Sequence, residues 1–487
     1  MAGIGFELNK ILSRQGYLSV FKAYAYAGVI GSGPWLIAVI SLGLLGTAMN
    51  TLEITADTRV FFVSVSVVYG FTLVLTGPIQ VVLTRHVADQ EYADRRDTIF
   101  PIYIKCVSWV SLLFAVLGSL FFGLLVPAPL LFKGAAALLS TLVAAIWISS
   151  IFLSALKNYY AVLISFAIGC TVSCVAAWQF AIPLGLAGAM LGFAIGHGVL
   201  LTILASVIYK ELGLSDAKAG PLLGSFVKYW DLALAGLFYN LGVWMDKFLY
   251  WWVDPKADVV AGILRASPVF DRVVYFSFLT ILPGMAVFLL KLETEFATQN
   301  LQFCQHVLKK GTLNQIRTIK HQMVDSLREG IFLLVKVQGL FTGLLILGAD
   351  RVMRILELGA VQSGVLQISL IGLFLLVIFL ALQTILFYLD KRFDAMLCCI
   401  LFTGINGSVT ALCLPMGEKL YGIGFLAAAA SAVIMASFMV NHHLKDLEYD
   451  TFAMQPIYSG SEATDKTSKP SAAGPSIAKP PAFVPRT

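Results

Sequence analysis

Apolar runs long enough to cross a bilayer recur along the chain at about 22–48, 60–83, 102–126, 130–154, 160–181, 185–209, 229–253, 268–290, 331–350, 362–389, 394–414 and 421–441. Crossing about 30 Å of hydrocarbon takes roughly 20 apolar residues at the helical rise. Inside hydrocarbon every backbone polar group must be satisfied within its own segment, so continuous runs predict helices, and the alternating pattern of a membrane barrel is absent. The pattern predicts an all-α membrane protein with about 12 transmembrane helices. A soluble enzyme is excluded.

The runs fall into two groups of six, which predicts two six-helix bundles around a central cavity. The expected organisation is an amphipathic N-terminal segment 1–21, an N-terminal bundle 22–209, a cytoplasmic linker 210–228 and a C-terminal bundle 229–443 with a long cytoplasmic loop 292–330. The tail 444–487 turns rich in Ser, Pro, Ala and Lys, and is expected to be disordered from about 458 because it cannot bury a core. Ile4, Leu8, Ile11 and Leu12 share one helical face, which suits a helix lying along the membrane surface rather than a cleaved signal peptide. In the loop, Phe296, Leu301, Phe303, Val307, Ile316, Ile319, Met323 and Leu327 are spaced as on one or two amphipathic helices broken near Lys309 to Thr312; such helices lie in the membrane interface or dock a partner.

An even number of spans per half makes any duplication parallel, with its axis along the membrane normal. Setting Gly77 of the second run against Pro283 of the eighth puts Arg85 opposite Lys291 and Asp89 opposite Glu295, the same apolar run closing on a base and then an acid. Arg85, Lys291 and Glu295 are therefore candidates for an inner gate.

Composition agrees, with 58% hydrophobic and 13% charged residues and a mean hydropathy of +0.84. Charge adds orientation, because basic loops stay cytoplasmic. With the N-terminus inside, the outer side and the spans hold only Arg59, Lys133, Lys247, Lys256, Arg265, Arg272, Arg351, Arg354 and Lys419 of the 34 basic residues. Both termini are thus predicted to be cytoplasmic. The net charge of +6 is this topology signal, which also suits anionic lipid headgroups, and calls for no nucleic-acid partner. The 7 cysteines show neither a disulfide framework nor a zinc spacing.

Ionisable groups within spans cost about 2.5–3.5 kcal/mol each on insertion scales, so they mark function by default. The predicted spans of the first half hold no acid. The seventh, YWDLALAGLFYNLGVWMDKFLYWWV, holds Asp231, Asn240, Asp246 and Lys247. Asn240, Trp244 and Lys247 follow i, i+4, i+7 spacing, a polar stripe with an aromatic in it, and Asp246 lies beside it. The competing reading is a structural ion pair at the outer interface. In the first span, GSGPW places Trp35 and a helix-interrupting Pro34 near mid-depth, where a broken helix either lines a cavity or packs as a simple kink. Trp35, Tyr239, Asn240, Trp244, Asp246 and Lys247 are the substrate-pathway candidates. Arg265, Asp271 and Arg272 stand at the outer mouth of the eighth span, as a charged vestibule or an ion-paired loop. His197 and Asn406 read as packing residues. There is no nucleophile with a base, no metal cluster and no phosphate-binding GxxxxGK[ST], so no catalytic residue, metal or cofactor is predicted.

The opening AGIGFEL, GSGPW in the first span, FYNLGVWMDK in the seventh and the stretch from SPVF to LETEF in the eighth resemble the family of Pel exopolysaccharide inner-membrane transporters, PelG. That family is similar to the polysaccharide branch of the multidrug/oligosaccharidyl-lipid/polysaccharide exporters. The resemblance implies a bacterial inner-membrane translocator of an amino-sugar-rich glycan. It implies partners as well: a cytoplasmic glycosyltransferase (PelF-like) and membrane subunits (PelD-like, PelE-like), one of them a cyclic-di-GMP receptor. It supplies no site residues.

Three function classes follow. A glycan translocator would use Asn and acid groups for hydrogen bonds and aromatics for ring stacking. A proton- or sodium-coupled antiporter would need a buried carboxylate, for which the seventh span offers Asp231 and Asp246. A scaffold would hold a glycosyltransferase through residues 292–330.

Overall fold

A computed structural model of the protein describes residues 17–50, 57–156, 158–215, 222–309, 311–355 and 359–452. Most of the N-terminal surface segment and the tail beyond 452 lie outside the described residues. Helix α1 (Tyr17–Met49) contains Pro34 and is followed by α2 (Arg59–Tyr92), α3 (Ile99–Leu120), a π-helical turn at Phe121–Leu125, and α4 (Leu130–Ala155). The next helix, α5 (Tyr159–Leu212), runs for 54 residues. Straight, it would be about 80 Å long, well over twice the hydrocarbon thickness. Gly185, two residues after Pro183, instead adopts φ +58° and folds the helix back on itself. The two limbs touch backbone to backbone, since a Cβ on Gly192 would meet Ala176 and one on Gly196 would meet Ser173 within 2.5 Å.

The second half begins with short α6 (Leu222–Lys228) and α7 (Trp230–Trp252). An antiparallel hairpin of β1 (Asp258–Ala261) and β2 (Leu264–Ala266) follows, turning at Gly262. Next come α8 (Asp271–Leu279), α9 (Leu282–Val287), a π-helical stretch Phe288–Phe296, and α10 (Ala297–Leu308). The chain returns through α11 (Leu313–Leu347), short α12 (Ala349–Ile355), α13 (Ala360–Tyr388), α14 (Arg392–Cys413), α15 (Ile423–Lys445) and short α16 (Leu447–Phe452). Among the described residues ten helical stretches are long and apolar enough to cross a membrane. Resolving α5 into its two limbs and adding α7 brings the crossings to twelve.

As the spacing predicts, the described residues of 292–330 form helices that break between Leu308 and Leu313. The chain continues the eighth span through α10, turns at Thr312, where a capping box with Gln315 starts α11, and returns. Phe296, Phe303, Ile316, Met323 and Leu327 enter the protein core, so their periodicity reports packing within the protein, not a face laid on lipid.

Helices α1 to α5 pack among themselves, as do α7 and the helices that follow it. Phe132, Phe193 and Phe152 anchor the first core, and Phe379, Phe402 and Phe425 the second. The two groups meet along two seams, α2 against α7 and α1 against α9. The end where α1 begins and α15 finishes is called the terminal end here; the opposite end carries the β-hairpin.

Candidate functional site at the seams between the bundles

The α2–α7 seam is built on small residues. A Cβ on Gly77 would lie 2.6 Å from the Gly236 carbonyl oxygen and 2.6 Å from Asn240 Nδ2, while Gly70 makes room for the Trp244 indole. Asn240 donates to the Gly236 carbonyl one turn below at 3.0 Å. Toward the hairpin end the seam becomes aromatic, with Phe71 stacked on Phe248 at 5.0 Å and Trp244 on Phe248 at 5.9 Å. The α1 seam repeats the plan: Gly28 faces Leu282 and Ala286, Gly31 faces Leu289, Trp35 meets Phe278 at 5.9 Å, and the Tyr275 hydroxyl donates to the Val39 carbonyl.

Of the six pathway candidates, Trp35, Asn240 and Trp244 therefore lie on the seams. Tyr239, Asp246 and Lys247 point into the second bundle. Tyr239 packs against Phe379 at 6.3 Å. Asp246, 1% exposed, accepts from Lys247 Nζ at 3.0 Å, and the same ammonium donates to the Val243 carbonyl at 2.9 Å. Lys247 also sits 5.3 Å from the ring centres of Phe278 and Phe425, at the edge of a small cavity shared with Ser277 and Ser369. Phe278 thus stands between the Lys247 cavity and Trp35 on the seam. The stripe expected on one helical face divides through side-chain direction: Asn240 and Trp244 meet the glycines of α2, while the long Lys247 side chain turns back to the Val243 carbonyl and into the second bundle.

At the terminal end the seam closes on charge. Tyr229, just before α7, donates its hydroxyl to Asp89 of α2. The guanidinium groups of Arg85 and Arg392 lie 5.7 and 5.3 Å from its ring centre. Asp390, between α13 and α14, takes Arg392 at 3.3 Å and Arg85 at 3.8 Å; Arg392 also reaches Asp231 at 3.7 Å. Burial pushes the Asp390 carboxyl above its ordinary range, against the pull of Arg85 and Arg392. Arg85 also pairs with Asp89 one turn on at 3.4 Å, and Lys291 pairs with Glu295 in the same i, i+4 relation at 2.7 Å. The two matched helix ends thus carry matched pairs, but only the Arg85 pair sits within this cross-bundle network; Lys291 and Glu295 lie near Tyr24 of α1.

At the hairpin end Arg59 of α2 reaches Asp258 of β1 at 3.2 Å. Arg265 lies on β2 opposite Val259, and Arg272 is exposed. Asp271 turns inward, accepting from Trp251 Nε1 at 2.9 Å and from the Ser267 N–H at 2.8 Å. No ion pair among the described residues joins these three.

Sequence reading passed over Tyr229, Asp390 and Arg392, and also Glu293, which is 1% exposed and accepts from the Tyr388 hydroxyl at 2.8 Å. No group of three or more metal-ligating side chains occurs among the described residues.

The PelG family, described as "Putative exopolysaccharide Exporter (EPS-E)", matches residues 1–452. The chain belongs to the PelG family. Solved structures of similar fold include a multidrug resistance MATE family transporter of the MOP superfamily in an outward-facing conformation, at 12% identity and TM-score 0.61, covering 87% of this chain and 96% of that one. A MOP superfamily transporter from Pyrococcus furiosus matches at 13% identity and TM-score 0.57, over 87% of this chain and 96% of that one. A mutant of the Vibrio cholerae MATE transporter VcmN matches at 16% identity and TM-score 0.58, over 88% and 98%. No curated protein matches the chain. PelG membership and this fold place the chain among membrane transporters rather than enzymes.

Proposed function

We propose that the chain translocates an amino-sugar-rich exopolysaccharide across the bacterial inner membrane toward the periplasm, with both termini in the cytoplasm. In this reading it works in a complex with a cytoplasmic glycosyltransferase and membrane subunits that include a cyclic-di-GMP receptor, and the α10–α11 hairpin at the terminal end is the docking element. The observation that carries the proposal is the PelG match over 1–452, supported by two seams whose glycine, asparagine and aromatic residues suit a separable interface. Parting of the bundles exposes Trp35, Trp244 and Phe248 to sugar ring faces, with Asn240 for hydroxyl groups. Rings present apolar faces for stacking, and hydroxyls need hydrogen-bond partners where water is excluded.

The test is secreted polymer from cells carrying Asn240→Ala or Asp246→Ala at matched membrane abundance. Reduced export is expected. Wild-type export from both variants would remove α7 from the pathway. A second reading, ion-coupled antiport of small molecules, draws on the MATE-like fold alone. Efflux of a small cation from proteoliposomes under an imposed proton gradient, abolished by Asp246→Asn, would favour it.

A further inference from the structure

Glu293 occupies the middle of the π-helical stretch Phe288–Phe296 in the eighth span. Such wide turns are uncommon and gather at functional positions. One oxygen accepts from Tyr388 at 2.8 Å, and the other takes no hydrogen bond from any described residue. The Tyr159 hydroxyl, at the start of α5 in the first bundle, is buried within electrostatic reach of Glu293 and is likewise without a hydrogen bond among the described residues. The site therefore draws on both bundles. Of the other elements packed here, α1 brings Tyr24, next to the Lys291–Glu295 pair, and α11 arrives at Gly330 over Lys291 and Leu292.

Tyr388 stands two residues before Asp390, so the end of α13 holds Glu293 on one side and Arg85 and Arg392 on the other. A carboxylate this buried, with one hydrogen bond and no ion pair among the described residues, is short of the partners its charge requires; a neutral carboxyl is not. Two phenols and one carboxyl also fall short of the six or so oxygens that a hard metal cation takes.

We propose that Glu293 is a proton-binding site that holds the terminal end closed when neutral and lets it loosen when ionised. The inference rests on the export reading for what that opening serves. Protonation satisfies Glu293 beside Tyr388 and Tyr159. Loss of the proton draws water to the carboxylate, releases the end of α13 and weakens the Asp390 bridge to Arg85. The proton comes from and returns to solvent, so no further reactant is required.

The test is a pH titration of the purified full chain in lipid nanodiscs, following the infrared absorption of the protonated carboxyl together with tryptophan emission. Wild type should show a carboxyl band and an emission change that titrate together. Glu293→Gln should lose both, whereas Glu329→Gln at an exposed position retains them. Tyr388→Phe, which removes only the hydroxyl, should move the midpoint by about one pH unit, the equivalent of a tenfold change in proton affinity. Superimposable wild-type and Glu293→Gln titrations would overturn the proposal. So would a midpoint that sodium displaces at fixed pH, since the ligand would then be a metal cation. If cells lacking the chain secrete polymer normally while the Glu293 titration persists, the export reading fails and the proton site stands.

Discussion

Gly77 of α2 and Gly236 of α7 meet backbone to backbone, such that a Cβ on either would come within 2.6 Å of the other's carbonyl oxygen. Neither contact involves a flexible side chain that could step aside, so any larger residue must separate the helices. Gly77→Val or Gly236→Val should destabilise the chain by about 1–3 kcal/mol, as overpacking does, and reduce polymer secretion at matched abundance. Gly224→Ala, with nothing within 4 Å of its Cβ, is the control. Thermal unfolding in detergent separates the two classes; unchanged melting of Gly77→Val would mean the seam is open in solution.

Tyr229 divides the terminal-end network into two contributions. Its hydroxyl ties α7 to Asp89, while its ring takes Lys228 at 4.8 Å, Arg392 at 5.3 Å and Arg85 at 5.7 Å from its centre. Tyr229→Phe should cost about 1.5–3 kcal/mol, the net worth of one hydrogen bond to a charged group. Tyr229→Ala removes the cation–π contacts too, each worth about 0.5–1 kcal/mol, and should be clearly worse. Hydrogen exchange of the α13–α14 turn reads the difference, and equal effects of Phe and Ala would show that the ring contributes nothing.

The spans were legible because a bilayer imposes a local rule: each segment must be long, apolar and self-satisfied, and a run of residues displays that directly. Even the fold-back of α5 is announced by Pro183 and Gly185. What faces what is a tertiary property. Asn240, Trp244 and Lys247 form one stripe on paper, yet the boundary between the bundles passes between Trp244 and Lys247. Asp390 reads as an ordinary charged turn ending a span, because nothing local shows that two arginines converge on it. Glu293 escaped because FLLKLETEF looks like a span running out into charge. The helix in fact continues, and its π-helical turns carry the carboxyl back into the protein.

The short C-terminal helix α16 is fastened to the terminal end by Lys391 on Asp450 at 2.6 Å and by Arg317 and Lys320 on Glu448, each at 3.4 Å. Burial pushes the Asp450 carboxyl upward, but Lys391 and His443 outweigh it and hold the group below its ordinary range. A depressed acid stabilises the folded state above its unfolded value of about 3.9, and that stability is lost as pH falls through the folded value. Exchange protection of α16 should therefore be constant near neutrality and fade only below about pH 4. Asp450→Asn should lower it at neutral pH by under about 1 kcal/mol, as suits a partly exposed pair. Fading that begins near pH 6 would show that the Lys391–Asp450 pair is not what fastens α16.

Asp246 and Lys247 offer the sharpest contrast between breaking a buried pair and replacing it. Removing one partner strands a charge among Phe270, Phe278 and Phe425, whereas removing both leaves an apolar site of similar volume. Lys247→Met alone should cost about 3–5 kcal/mol, and the double change Asp246→Leu with Lys247→Met should recover most of it. If the pair serves only stability, the double variant regains export along with its melting temperature. If it serves translocation, the double variant melts like wild type and still fails to secrete polymer. Measuring both quantities on the same membranes decides between these outcomes, because a folding defect alone moves them together.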